Sequence, residues 1–507
     1  WKDENTLWVA TDFGEGSLNK SGYPRIAKEW KRGTPIDEAT TVFESSVDDV
    51  FAIATSEHTP EGRYDMVTLV PEFFRETTYL ILGDRLVKLD LPDDASLHGF
   101  FKDHLLVSLR TNWEVGGTTY EAGSLVAIGL DDFLKGWRKF EVLFEPEERI
   151  SLNQVQSTRN HLVYTTLDNV RGRLYRLTPG EDGWAKEEIE LPGIGTVSLG
   201  RGGYFSDESD DFFFTYTDFV TPSSLYLADA SGKTEKIKSS PTWFDATGMK
   251  VVQYEARSKD GTRIPYFVFM PKGFETDGAN PTLLTGYGGF EVPRLPRYSG
   301  TVGTSWVVRG GVYVLANIRG GGEFGPKWHQ GSMREKHQNN FDDFTAVAED
   351  LIARKITSPK HLGILGGSQG GLLVGGSFVQ RPDLFNAVVC AVPLLDMKRY
   401  NKLLAGASWM AEYGNPDTDD WEFMKHWSPY QNLDPDADYP EVFFWTNTRD
   451  DRVHPAHARK MVARMDEMGH KVYYYENTEG GHGAGANLNA RAYTDALEYA
   501  YLWMKLR

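Results

Sequence analysis

The chain has 507 residues, 40% of them hydrophobic and 25% charged, the composition of an ordinary soluble protein with apolar material for sizeable cores and a length that suits two large domains. No apolar run approaches the roughly 20 residues a membrane helix needs, and the net charge of −18 argues against nucleic acid or an anionic membrane as partner while leaving short peptides open. A single cysteine, Cys390 in the apolar run Ala387 to Val392, excludes an intrachain disulfide and reads as a buried small hydrophobe; this fits a cytoplasmic protein without excluding a periplasm.

The chain opens at Trp1 and enters a strand-like run at Thr6-Leu7-Trp8-Val9-Ala10. No targeting signal is visible, which carries no weight in a chain that begins without Met. Residues 1–241 read as all-β, with short apolar or aromatic runs between Gly, Asp, Asn and Pro turn clusters. A loose repeat runs through them: His104-Leu105-Leu106-Val107-Ser108-Leu109 resembles His161-Leu162-Val163-Tyr164-Thr165-Thr166-Leu167, and Phe212 to Thr217 resembles both. A further strand follows each one turn later, at Ser124 to Ala127, Arg173 to Leu177 and Ser224 to Leu227. A period of about 50 residues suits four-stranded propeller blades; a β-sandwich is the competing arrangement.

From residue 242 to 507 strands alternate with helices. Strands are predicted at 265–270, 282–285, 312–316, 362–365, 442–445 and 472–475. Helices are predicted over 342–353, after residue 365, over 456–468 with Gly469 as the stop, and over 490–505. Such alternation predicts a mostly parallel, doubly wound sheet covered on both faces, an α/β-hydrolase type of catalytic domain beside an all-β propeller.

The chemistry concentrates in post-strand loops. Gly366-Gly367-Ser368-Gln369-Gly370-Gly371 holds G-x-S-x-G between a strand and a helix. Such a turn pushes a serine hydroxyl out over the sheet edge and aims the next amide, that of Gln369, at a developing oxyanion. A serine nucleophile needs a base and an acid to orient it, in the order Ser, acid, His. His482 lies in Glu479-Gly480-Gly481-His482-Gly483-Ala484-Gly485, a loop able to reach Ser368; His454, His457 and His470 sit beside or on a helix and read as solvated or structural. The acid is Asp450 or Asp451, in Arg449-Asp450-Asp451-Arg452-Val453, and spacing does not choose between them. Tyr287, in Gly286-Tyr287-Gly288-Gly289-Phe290, offers a phenol as second oxyanion donor. The Gly-rich run Asn317 to Phe324 lacks the P-loop and dinucleotide patterns, and no HExxH, CxxC or EF-hand pattern occurs, so neither metal nor cofactor is implied.

At these residues the chain resembles the prolyl oligopeptidase family of serine peptidases. The resemblance rests on YGGF at Tyr287 to Phe290, NIRGGGEFG at Asn317 to Gly325, GGSQGGLL at Gly366 to Leu373, DDRV at Asp450 to Val453 and GHGAG at Gly481 to Gly485. It spans residues 242 to 507, and more weakly the first half through Tyr216 to Pro222. It implies Asp450 as the triad acid and an oxyanion hole from Tyr287 with the Gln369 amide. It also implies Arg452 on a substrate carbonyl, and Phe290, Trp409, Tyr413 and Val453 around the residue before the cut bond. Stacking of a flat proline ring on an indole is physically apt. The propeller is implied to act as a size filter admitting short peptides. Two departures stand out: Gln369 replaces a frequent asparagine, and the chain opens mid-propeller, so a missing N-terminal segment of the same protein is expected.

The expected function is a serine oligopeptidase cleaving short peptides on the carboxyl side of proline through an acyl-enzyme. Three alternatives remain. One is oligopeptidase B-like cleavage after Arg or Lys, for which Glu412 or Asp417 near Trp409 would serve. Another is acylaminoacyl or dipeptidyl specificity, for which no paired-glutamate anchor is visible. The third is a non-catalytic propeller scaffold.

Overall fold

The first half of the chain folds as sheets that no single sheet could stabilise alone. In the computed structural model, which describes residues 1–181, 183–200, 208–483 and 485–507, a three-stranded sheet (Thr6–Val9, Ile26–Lys31, Thr40–Glu44) is followed by four four-stranded sheets spanning 51–88, 96–144, 150–189 and 196–239. Ala484, part of the GHGAG run, lies outside the described residues. Within each four-stranded sheet the strands neighbour one another in sequence order, a two-stranded hairpin at Trp113–Val115 and Thr118–Tyr120 being inserted in the second. The repeat read from the sequence falls on equivalent strands. His104–Ser108, Leu162–Asp168 and Phe212–Thr217 are the second strands of their sheets, and Leu125–Gly129, Arg171–Gly180 and Ser224–Ala228 the third.

Successive strand residues point to opposite faces, and here both faces are buried. Leu105 and Val107 pack with Met66 and Leu80 of the preceding sheet, whereas Leu106 packs with Leu162 and Tyr164 of the following one. Val163 in turn joins Phe212 and Phe214 of the last sheet. Stacked pairs Tyr164–Tyr175 and Phe214–Tyr226, each with centroids 5.2 Å apart, fill these layers. Sheets sharing cores on both faces are propeller blades, not the two layers of a sandwich.

The chain forms two compact units, one of Trp1–Tyr216 with Leu225–Lys238 and Gly325–Lys327, the other of Thr217–Ser224, Ser239–Phe324 and Trp328–Arg507. The second is built on an eight-stranded sheet. Its strands are β1 (Lys250–Arg257), β2 (Arg263–Met270), β3 (Thr282–Thr285), β4 (Val312–Ala316), β5 (Leu362–Gly367), β6 (Ala387–Ala391), β7 (Val442–Asn447) and β8 (Val472–Asn477). Their spatial order is β1-β2-β4-β3-β5-β6-β7-β8. β1 to β2 and β2 to β4 are antiparallel and all later pairs parallel, the arrangement of an α/β-hydrolase domain. Sequence periodicity located six of these strands. It missed β1, and it marked β6 only as an apolar run, because a fully buried parallel strand shows no alternation.

The helices that matter for the site are α1 (Gln338–Ala353), α2 (Gln369–Gln380), α3 (Ala456–Glu467) and α4 (Leu488–Leu506). α1 begins four residues ahead of the predicted 342. α3 ends as expected at Gly469, whose φ of 86° lets its N–H reach Asp466 and that of His470 reach Met465. Asn487 caps α4 by accepting from the Ala490 N–H at 2.9 Å. Cys390 is fully buried on β6, opposite Gly366 of β5, with Sγ 3.4 Å from the Gly371 carbonyl; burial pushes its thiol well above the ordinary value. Among the described residues no helix is long and apolar enough to cross a membrane.

Candidate active site

Ser368 stands between β5 and α2 with φ 60° and ψ −118°, a conformation L residues rarely adopt. Its N–H bonds to the Ala391 carbonyl at 3.0 Å, and its own carbonyl accepts from Gly371 and Leu372, so the sharp turn is held from both sides. Gly366 is required beneath it: a Cβ there would lie 2.0 Å from the Gly370 carbonyl oxygen. Gln369 opens α2, so its peptide N–H has no intrahelical acceptor and is available beside the serine.

Asp450 follows β7 and is 4% exposed, whereas Asp451 points to solvent. Asp450 Oδ1 accepts the Arg452 and Val453 N–H groups at 3.0 and 2.9 Å. The same carboxylate receives His482 Nδ1, at 3.0 Å on Oδ1 and 2.8 Å on Oδ2. A carboxylate accepts only, so Nδ1 carries the proton and Nε2 keeps its lone pair. Of the two neighbouring aspartates, Asp450 is the one that faces the imidazole. Asn447, buried at the end of β7, donates to the carbonyls of Gly481 and Gly483 at 2.7 and 2.6 Å and so grips the loop on either side of His482. Among the described hydrogen bonds none joins His482 to the Ser368 hydroxyl.

Tyr287 follows β3 and is half-buried. Burial raises its phenol above the ordinary value; a hydrogen bond with Ser368 and the charges of Arg452 and Arg294 act the other way. The Arg294 guanidinium lies 5.6 Å from its ring centroid. Arg452 is exposed, and no carboxylate pairs with it among the described residues.

Phe290 and Glu291 both take positive φ, 56° and 57°. This turn sets the Phe290 ring edge-on to Trp409 at 6.4 Å and to Tyr413 at 5.7 Å. Trp409 keeps 5% exposure and Val453 2%. Tyr413 is fully buried, and its hydroxyl donates to Gln369 Oε1 at 2.5 Å. Tyr413, expected among the residues around the pocket, packs edge-on against Phe290 with its hydroxyl on Gln369.

Glu412, a candidate acid for a basic side chain, is wholly buried. Its Oε1 accepts the Phe290 N–H at 3.1 Å and its Oε2 receives His329 Nε2 at 2.7 Å. Asp417 is exposed and held by Lys402 and Asn401, each at 3.0 Å. His457, His454 and His470 make local structural contacts. Fully buried His457 accepts the Leu395 and Asp396 amides, and burial pulls it down to about 4. His454 accepts the Ala456 amide, and His470 bonds the Asp434 carbonyl.

Sequence reasoning missed His329, Asn447 and Asn340. Asn340 has a legible signal, since it shares the inward face of α1 with Phe344 and Val347, where a polar side chain needs buried partners. Asn447 and His329 carry none, because their partners lie far along the chain.

Two family models match the chain: the prolyl oligopeptidase family over residues 297–507, and the N-terminal β-propeller domain of prolyl oligopeptidase over residues 1–241. An uncharacterized peptidase of Sinorhizobium fredii is 45% identical across 100% of this chain and 71% of its own length. The structure of a post-proline cleaving enzyme from Rickettsia typhi superposes with a TM-score of 0.94 at 33% identity, covering 100% of this chain and 75% of that one. Oligopeptidase B from Leishmania major shares the fold, with a TM-score of 0.86 at 21% identity over 99% of this chain and 71% of its own. On these matches the chain belongs to the prolyl oligopeptidase family of serine peptidases.

Proposed function

We propose that the chain cleaves short peptides after proline, with Ser368 as nucleophile, His482 as general base and acid, and Asp450 holding the imidazole. Residues 242–507 carry the chemistry and residues 1–241 form the propeller. Ser368 Oγ attacks the carbonyl carbon as its proton passes to His482 Nε2. The Tyr287 phenol and the Gln369 peptide N–H hold the resulting oxyanion. Collapse expels the amine, which takes the proton from His482. Water then attacks the ester, returns a proton to the serine through the same imidazole and releases the acid. Arg452, exposed and without a carboxylate partner among the described residues, donates to a substrate carbonyl. Phe290, Trp409 and Val453 supply apolar walls for the residue before the cut bond.

The observation that carries the specificity is the engagement of Glu412. A pocket for Arg or Lys needs an unpartnered carboxylate facing it, and this one is turned onto His329 and the Phe290 amide. What remains around Phe290 and Trp409 is aromatic and apolar, which suits a proline ring. The likeness to a post-proline cleaving enzyme supports the same reading.

The test is kcat/KM on blocked chromogenic peptides that differ only in Pro, Ala, Arg or Phe before the cut bond, with Ser368→Ala as blank. Proline is expected to lead by at least about tenfold. Glu412→Gln, which keeps an oxygen for Phe290, is expected to leave the Pro-to-Arg ratio unchanged. A leading Arg substrate whose cleavage collapses in Glu412→Gln would overturn the specificity, and no turnover or fluorophosphonate labelling in well-folded protein would overturn the chemistry.

A further inference from the structure

A second tier of buried amides lies directly behind the residues assigned to the oxyanion. Asn340, in the first turn of α1, is fully buried, and each of its donors is used. Nδ2 donates to the Gly288 carbonyl at 2.7 Å and to the Arg319 carbonyl at 3.0 Å. Its Oδ1 receives Gln369 Nε2 at 3.4 Å, and that same Nε2 also reaches the Gly288 carbonyl, at 3.2 Å. Gln369 Oε1 is in turn held by the Tyr413 hydroxyl. Three post-strand loops, those after β3, β4 and β5, therefore meet on one asparagine side chain.

The fit leaves no slack. Gly288 has φ +66°, and a Cβ there would lie 1.9 Å from Asn340 Nδ2 and 2.6 Å from Ile318 Cδ1. A Cβ on Gly320 would lie 2.2 Å from the Gly288 oxygen. The carbonyl gripped by both amides belongs to the residue immediately after Tyr287. Its orientation fixes the Gly288–Gly289 peptide plane, one residue beyond the tyrosine, and so limits the path of the backbone that carries the phenol. An oxyanion donor works only if it is held before charge develops.

We infer that Asn340 is a positioning residue for the reaction, acting through the Gly288 carbonyl to hold the Tyr287 phenol at the oxyanion, with the Gln369 carboxamide as its second hand. The inference rests on the reading of Tyr287 as oxyanion donor. Asn340 touches no substrate, so its loss should act on turnover and not on ground-state binding.

The experiment is a double-mutant cycle on a blocked proline substrate in the full chain, using Asn340→Ala, Tyr287→Phe and the pair. Tyr287→Phe is expected to lower kcat by about 100-fold. Asn340→Ala is expected to lower it by about tenfold with KM within about twofold, the signature of a misplaced group. In the Tyr287→Phe background the same asparagine substitution should cost nothing further, since there is no phenol left to misplace. An equal loss in both backgrounds overturns the inference while leaving Tyr287 its role. An unchanged kcat in Tyr287→Phe alone overturns the underlying reading and the inference with it. If Asn340→Ala does not fold, Gln369→Met carries the same cycle, because it removes the second donor to Gly288 while keeping the peptide N–H.

Discussion

Asp450 has two duties that different substitutions separate. One oxygen pair orients His482, and Oδ1 also closes a turn by accepting the Arg452 and Val453 amides. Asp450→Asn keeps an acceptor for the turn but removes the charge and the tautomer control. It is expected to lower kcat by about 10⁴-fold with little change in KM. Asp450→Ala removes the turn as well, so KM should rise on top of the same loss in kcat, because Arg452 and Val453 are the residues proposed to contact the substrate. Steady-state kinetics on one proline substrate distinguishes them, and a KM that rises equally in both would assign the turn elsewhere. The sequence made Ser368 and His482 legible because local backbone pattern dictates them, a strand-to-helix glycine turn and a glycine-rich loop. The neighbours Asp450 and Asp451 were not separable, since which carboxylate turns inward depends on a hydrogen bond to a residue 32 positions away. Glu412 was opaque for the same reason: its partner His329 is 83 residues upstream, and an acid near a tryptophan in sequence can face a pocket or turn its back on it.

At the scale of the element, the β5–Ser368–α2 turn depends on glycine at one position and merely tolerates it at the next. A Cβ on Gly366 would meet the Gly370 carbonyl oxygen at 2.0 Å, while on Gly367 the nearest atom would be 3.6 Å away. Gly366→Ala is expected to destabilise by about 3 kcal/mol or more and to abolish labelling of Ser368, because backbone must move. Gly367→Ala should cost at most about 1 kcal/mol and keep labelling. Thermal melts with fluorophosphonate labelling check both, and equal tolerance would mean the turn relaxes more than its packing suggests. The elements themselves were largely readable. Short apolar runs between turn clusters, repeating about every 50 residues, located the second and third strands of three blades, and strand–helix alternation located most of the doubly wound sheet. What escaped was the first antiparallel strand, the fully buried β6 and the first turn of α1, where Asn340 and Phe341 face inward ahead of the expected start at 342.

For the whole molecule, stability is tied to pH by carboxyls that the fold buries. Glu498 on α4 accepts the Trp445 indole N–H at 2.7 Å, and burial outweighs that bond, raising the carboxyl from 4.5 to about 8. A folded-state value above the unfolded one means that the native protein holds the proton longer. Glu498 therefore costs nothing below about pH 4.5, and its penalty grows as pH rises to about 8, where ionisation of the native carboxyl is forced. Glu498→Gln keeps an oxygen for Trp445 and removes the titration. Its melting temperature should match that of the parent at pH 4.5 and exceed it at pH 9. A gap independent of pH would show that Glu498 does not titrate across that window. Glu323, which burial raises to about 7, slopes the same way, whereas His457, pulled down to about 4, slopes the other way below about pH 6.5, so the loss contributed by the buried carboxyls is expected to stand out on the neutral-to-alkaline side.

Cys390 gives the molecule its own clock. The chain has one thiol, and it lies under the nucleophile turn, across the sheet from Gly366, in a protonated form that alkylating reagents scarcely attack. Modification must wait for β5 and β6 to part, so the rate of alkylation under native conditions counts openings of the layer that carries Ser368, without any introduced probe. An inhibitor bonded to Ser368 should slow that count, and a reagent that merely coats the surface should leave it running at the same pace.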